Sequence, residues 1–243
     1  MTLSLKQELR NKMIFFNNIT KVFPPHLTRK ENVVLENVSF KVDKGEFVSV
    51  VGKSGAGKTT LFRILLGEEK PTEGTVFFDG EDVHKISSSK FCKIRRRIGT
   101  IFQDYKLLSS KTVYENIAYA MEVTGALDEE VKRDVPEILE MVGLGMQAHQ
   151  FPHQLSGGEQ QRTAIARALI HNPDVILADE PTGDLDPYHS RDVLNLLLRI
   201  NECGSTVLLA THDKDCVNTL GKRVVSLKEG KIVSDIKEGR FIL

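Results

Sequence analysis

The chain has 243 residues, enough for one large domain or two small ones. Apolar residues make up 40% and charged residues 27%, an ordinary balance for a globular protein, which excludes a long disordered or fibrous chain. The 33 basic and 33 acidic side chains cancel, so no global field draws the molecule to nucleic acid or to an acidic membrane surface.

Cys92, Cys203 and Cys216 are odd in number and far apart. That is neither a disulfide framework nor a zinc spacing, and it reads as idle thiols in a reducing compartment. No apolar run approaches the ~20 residues that span a bilayer. The N-terminal "MTLSLKQELRNK" lacks the apolar centre of a signal peptide. The expectation is a cytoplasmic protein in which any membrane work uses another anchor. Residues 1–12 read as a loose extension, with Met13 as an alternative start.

In chain order, strand signals come first: "MIFFNNI", "VVLENVSFKV", "EFVSVV" and "GTVFFDG", with the turn "DKGE" before the third. These early strands, like the last ones, read as antiparallel. After "EFVSVV" comes a run of Gly52, Lys53, Ser54, Gly55, Ala56, Gly57, Lys58, Thr59 and Thr60. It fits G-x-x-x-x-G-K-[ST] and sits between a strand and the helix "KTTLFRILLG", whose Gly67 suits a C-terminal cap. Glycines let the backbone curl so that successive N–H groups converge on phosphate oxygens. Lys58 would reach the terminal phosphates, and the Thr59 hydroxyl would ligate Mg²⁺.

From about residue 105 to 168 the chain reads mostly helical, with apolar residues at i, i+3 and i+4 in "SKTVYENIAYAMEVTG" and "DEEVKRDVPEILEMVGLG". Within "QLSGGEQQRTAIARALIHNP", Ser156 and Glu159 form a capping box. Gly157 and Gly158 leave the adjoining N–H groups open to an anion. A cap alone needs no glycines after its serine, so two of them suggest a ligand contact.

Strand–helix alternation then returns: "DVILADE", "HSRDVLNLLLRINECG" and "STVLLATHD", closed by the hairpin "RVVSLKEGKIVSD" turning near Glu229 and Gly230. Two acids ending an apolar strand need a charged companion. Asp179 would hold Mg²⁺, and Glu180 would polarise an attacking water. His212 ends the next apolar strand and could reach the γ-phosphate. The fold class is α/β: a mainly parallel sheet with helices, an antiparallel β portion and an inserted helical block.

This set of motifs resembles the ATP-binding-cassette (ABC) ATPases, over essentially residues 13–243. LSGGE-Q-Q-R matches that family's signature, residues 52–59 its Walker A motif, and Asp179 and Glu180 its Walker B motif and glutamate. Gln103 in "IGTIFQDY", His212 and "PTGDLD" match its Q-loop, H-loop and D-loop. Phe23 in "ITKVF" matches the aromatic that stacks on adenine, more often Tyr. Asp184 stands where close relatives often have Asn.

The resemblance implies a P-loop NTPase domain, with residues 13–103 and 165–243 as the core and 104–164 as the helical subdomain. It implies an ATP hydrolase using ATP and Mg²⁺. Its catalytic residues would be Lys58, Gln103, Glu180 and His212, and its metal site Thr59, Gln103 and Asp179. Its nucleotide contacts would be Phe23, residues 52–60, Gln103, Asp179, Ser156, Gly157, Gly158 and Glu159. It further implies a head-to-tail homodimer that closes on ATP, so that Ser156, Gly157 and Gly158 of one copy complete the site of the other.

The flanks "RRRIGTIFQDYKLL" and "KTVYENIAYAMEVTGA" are similar to the FtsE-type cell-division ATPases of the family. That implies an FtsX-like integral membrane partner, peripheral attachment at the cytoplasmic face of the membrane, and control of cell-wall hydrolases. Lipoprotein-releasing and macrolide-exporting ATPases share "QLSGGEQQR" and "LADEPTG", so an exporter subunit is the alternative. A soluble ATP clamp would need a long coiled coil between Lys58 and Ser156, and no heptad tract lies there. An ATP-binding scaffold without turnover would not need Glu180 and His212. Arg95, Arg96 and Arg97 could meet the partner or lipid headgroups, or simply pair with nearby acids.

Overall fold

The computed structural model describes residues 12–24 and 32–239. The expected N-terminal extension lies outside the described residues up to position 11. Lys12 already belongs to the first strand and pairs with Asp43 at 2.5 Å.

Two sheets share the molecule. The first is antiparallel, in the order β2 (Asn32–Asp43), β1 (Lys12–Phe23), β4 (Glu73–Phe78) and β5 (Glu81–Asp82). The second has six strands in the order β10 (Lys231–Ile236), β9 (Arg223–Lys228), β3 (Phe47–Val51), β8 (Thr206–Thr211), β7 (Val175–Asp179) and β6 (Ile98–Phe102). Its neighbours pair in parallel from β9 to β6, and β10 runs antiparallel on β9.

β3 departs from the expectation of antiparallel early strands. All five of its residues are buried. A run with no apolar–polar alternation belongs to a parallel strand covered on both faces. Its side chains split accordingly. Phe47 joins one apolar cluster with Ile176, Val207 and Leu209, while Val48 and Val50 join another with Leu177, Leu208 and Val225.

The second cluster is closed by α1 (Lys58–Leu65) and the antiparallel sheet. The first is closed by α3 (Val113–Val123), α4 (Asp128–Met141), α5 (Gly157–Leu169) and α6 (Pro187–Glu202). α5 is one unbroken helix through 164 and 165, where the sequence suggested a domain boundary. It packs on β6 and on α3, α4 and α6. Two further helices, α2 (Ser88–Arg96) and α7 (Lys214–Leu220), complete those with described residues.

Two of the three consecutive arginines are used inside the chain. Arg95 donates twice to the Leu66 carbonyl, at 3.0 and 2.8 Å, and lies over Phe91. Arg97 bridges Asp79 at 2.8 Å and Asp174 at 2.5 Å. Arg96 is exposed.

Candidate functional site

Parallel pairing puts the carboxyl ends of β3, β8, β7 and β6 along one edge, where α/β sheets bind ligands. The residues that follow these four ends are Gly52, His212, Glu180 and Gln103. The topology thus brings together four segments far apart in the chain.

The loop after β3 closes on Gly57, which holds φ 101° and starts α1. A side chain is disfavoured in that region, and a Cβ there would lie 2.5 Å from Leu35 Cδ2. No side chain caps α1 and no acid stands in its first turn. Its leading N–H groups are therefore unsatisfied donors at the positive end of the helix, the local chemistry of an anion site. Lys53, Ser54, Gly55 and Thr59 are exposed there, while Lys58 is buried.

The Lys58 ammonium donates to the Gly52 carbonyl at 2.7 Å and pairs with Glu180 at 3.1 Å. Glu180 is held in turn from both sides. Its N–H donates to the Ala210 carbonyl at 2.8 Å, and its second carboxylate oxygen faces His212 Nδ1 at 3.0 Å. Its φ of 49° is the left-handed region, a strained setting for a glutamate. Lys58, Glu180 and His212 thus form a chain of contacts across β3, β7 and β8.

Asp179 sits beside them. Burial pushes its carboxyl up from the usual range, against a hydrogen bond from Thr59 and the nearby charges of Lys58 and Arg63. One of its oxygens is buried without a partner. An orphaned carboxylate oxygen next to a threonine hydroxyl fits a hard divalent cation. Among the described residues no group of three or more His, Cys, Asp or Glu is arranged for a metal. Mg²⁺ suits such a sparse site, because it takes one or two protein oxygens and completes its shell with phosphate and water. Thr59, Asp179, Glu180 and Gln103 all line one cleft of about 300 Å³, with Arg63 and Asp184. Gln103 donates to Asp184 at 3.3 Å across it.

Phe23 ends β1 and pairs with Asn32. Nearby on β2, Val34 and Leu35 back onto Gly57, so the ring lies at the P-loop end of the antiparallel sheet. The Lys21 ammonium sits 4.6 Å from its centroid.

Ser156, Gly157, Gly158 and Glu159 form the capping box read from the sequence. Ser156 Oγ accepts the Glu159 N–H at 3.4 Å, and the Glu159 carboxylate accepts the Ser156 N–H at 2.8 Å. The surroundings of this turn are Tyr105, Gln147, Leu185 and His189. Gly158 has an internal reason to be glycine, because a Cβ would lie 2.5 Å from His189 Cδ2.

Two residues of α5 escaped the sequence reading. Gln161 is fully buried and donates to the Pro181 carbonyl at 2.7 Å, just past Glu180. Arg167 donates to the carbonyls of Tyr105 and Lys106 at 2.9 and 2.7 Å. Those two residues hold consecutive positive φ values of 53° and 48°, so Arg167 pins the strained loop after Gln103. A glutamine in register with the apolar Ile165 and Ala168 was the available signal for Gln161, and Arg167 had none.

Comparison with known proteins gives the family. The sequence pattern of the ABC transporter family matches residues 35–183. The chain is 48% identical to the cell division ATP-binding protein FtsE of Mycobacterium tuberculosis, over 94% of this chain and 98% of that one. It is 45% identical to FtsE of Bacillus subtilis over the same shares. It is also 46% identical to the methionine import ATP-binding protein MetN of Escherichia coli, over 91% of this chain but 64% of MetN. Among solved structures, it is similar to the dimeric ATP-binding cassette MJ0796 in a post-hydrolysis state bound to ADP and Pi. The TM-score is 0.84 at 38% identity, covering 94% of this chain and all of that one. The chain therefore belongs to the ABC transporter ATPase family and is an ABC-type ATP hydrolase.

Proposed function

We propose that the chain is the ATP-hydrolysing subunit of an FtsE–FtsX-like cell-division complex. The observation that carries this is likeness to FtsE over nearly the whole of both chains, and the Lys58–Glu180–His212 contacts support it. Among the described residues no helix is long and apolar enough to cross a membrane. Attachment at the cytoplasmic face would thus run through an FtsX-like membrane partner, and ATP-driven shape changes would pass through it to cell-wall hydrolases.

The chemistry follows from the side chains. The Lys58 ammonium pairs with Glu180 at 3.1 Å. Phosphates entering the loop compete for Lys58 and leave Glu180 facing His212 and the cleft. Glu180 then takes a proton from water while the oxygen of that water bonds the γ-phosphorus, and the bond from that phosphorus to the bridging β–γ oxygen breaks, so that ADP leaves with that oxygen. His212 holds Glu180 in place, and the open N–H groups of α1 stabilise the departing charge. Thr59, Asp179 and Gln103 would hold Mg²⁺, which neutralises phosphate charge when bound. Phe23 offers its ring to adenine.

Two copies close head to tail in this reading. Ser156, Gly157 and Gly158 of one present their N–H groups to the γ-phosphate held by Lys58 of the other. ATP then favours the dimer because it touches both halves only in that state.

The test uses Glu180→Gln, trapped with ATP, as bait in detergent-solubilised membranes of the native cell. Co-purification of an FtsX-like membrane protein is the expected result. Recovery of a lipoprotein- or drug-exporter subunit, or of a solute importer, would keep the chemistry and overturn the division role.

A further inference from the structure

α6 starts on Asp186, one of whose carboxylate oxygens accepts the N–H groups of Tyr188 at 2.9 Å and His189 at 3.0 Å. The other oxygen takes the ring Nδ1 of His189. The carboxyl of Asp186 is held below the usual range, chiefly by that ring hydrogen bond, so the anchor is a carboxylate. That contact ties the imidazole to the start of its own helix.

The fixed ring points its other edge at the signature turn. A Cβ on Gly158 would lie 2.5 Å from His189 Cδ2 and 2.9 Å from Cγ, so the imidazole fills the volume that a side chain at 158 would take. On the adjoining position, a Cβ on Gly157 would meet Tyr105 Oη at 3.2 Å and Leu185 Cδ2 at 3.5 Å. The turn thus rests on side chains from the segment that leaves Glu180 and from the loop after Gln103. Of these, only His189 is itself tied down by a carboxylate in the contacts described.

We infer that His189 is a positioning residue for the signature. Anchored by Asp186, its ring buttresses the Gly158 backbone and sets where the N–H groups of Gly157 and Gly158 meet the ATP of a second copy. The inference rests on the head-to-tail reading above. An alanine at 189 leaves the Asp186 cap on the backbone N–H groups intact but removes the wall behind Gly158. An asparagine keeps a planar group that can donate to Asp186.

The experiment is made in the Glu180→Gln background, with two readouts per variant. One is ATP affinity of the dilute monomer, which reports the P-loop. The other is ATP-driven dimerisation by sedimentation velocity. His189→Ala is expected to weaken dimerisation about tenfold or more, the scale of a small misplacement of contact groups, with monomer affinity and thermal midpoint unchanged. His189→Asn is expected to recover part of the loss. Gly158→Ala is expected to weaken dimerisation less when combined with His189→Ala than alone, because the methyl group then has room.

Dimerisation of His189→Ala equal to that of the parent would overturn the proposal. So would a parallel fall in monomer affinity and thermal midpoint, which marks a general structural role. Failure of the Glu180→Gln parent itself to dimerise with ATP is a different result, and it overturns the head-to-tail reading first.

Discussion

In the proposed reading the amino ends of α1 and α5 both meet phosphate, yet they are built in opposite ways. α1 has no side-chain cap, and its buried lysine turns back onto the Gly52 carbonyl and Glu180. α5 satisfies itself: Ser156 and Glu159 exchange hydrogen bonds, and their turn is backed by Tyr105, Leu185 and His189. An uncapped end with a folded-back cation is incomplete until an anion arrives. A capped end is complete alone and has only spare N–H groups to offer. The first is suited to bind ATP in the monomer, and the second to recognise ATP already bound elsewhere.

The largest effect expected on this contrast comes from Glu180→Gln. It removes the base and loosens the hold on Lys58. Turnover should fall by about 10²–10⁴-fold while ATP affinity is kept or improved, as measured by phosphate release and calorimetry. Loss of ATP binding in this variant would mean that Glu180 builds the loop rather than restrains it.

Lys58→Ala strikes the uncapped end directly. It should cost about 2–5 kcal/mol in ATP binding, since a buried charge partner of the phosphates is gone. Titration with a fluorescent ATP analogue checks this, and unchanged affinity would remove the cradle assignment.

Ser156→Ala strikes the capped end. The lost cap should cost roughly 1 kcal/mol and lower the thermal midpoint by about 2–4 °C, leaving monomer ATP affinity untouched. An equal fall in affinity would erase the distinction between the two ends.

The smallest effect concerns a third helix end. Asp213 caps α7 and also accepts the Cys216 thiol at 3.0 Å. Burial and this carboxylate push that thiol up to about 12. At pH 8, maleimide should label exposed Cys92 and Cys203 and spare Cys216, read by intact mass.

Much of the site was legible in the sequence because its geometry is local. The curled loop of residues 52–59 and the box of Ser156 with Glu159 each lie within a few residues, where glycine, hydroxyl and acid spacing dictate backbone shape. What failed was non-local. "FVSVV" reads like the early strands around it because its sheet neighbours, β8 and β9, lie far along the chain, as do the helices that cover its Phe47 face. β6 went unrecognised as a strand in "RRRIGTIFQ", a short edge strand in which a Cβ on Gly99 would lie 2.5 Å from the Ala168 carbonyl. The Lys58–Glu180 latch, the Gln161 brace and the Arg167 pin all join segments that only the sheet order brings together.

In the proposed dimer, one ATP is completed by residues of two chains. Comparing Glu180→Gln with Glu180→Gln/Ser156→Arg, by monomer ATP affinity and ATP-driven sedimentation, tests this. The arginine is expected to leave monomer affinity unchanged and abolish the dimer. Loss of ATP affinity together with the dimer would put Ser156 in its own chain's site, and a dimer that persists would remove Ser156 from the interface; either result would overturn the shared site.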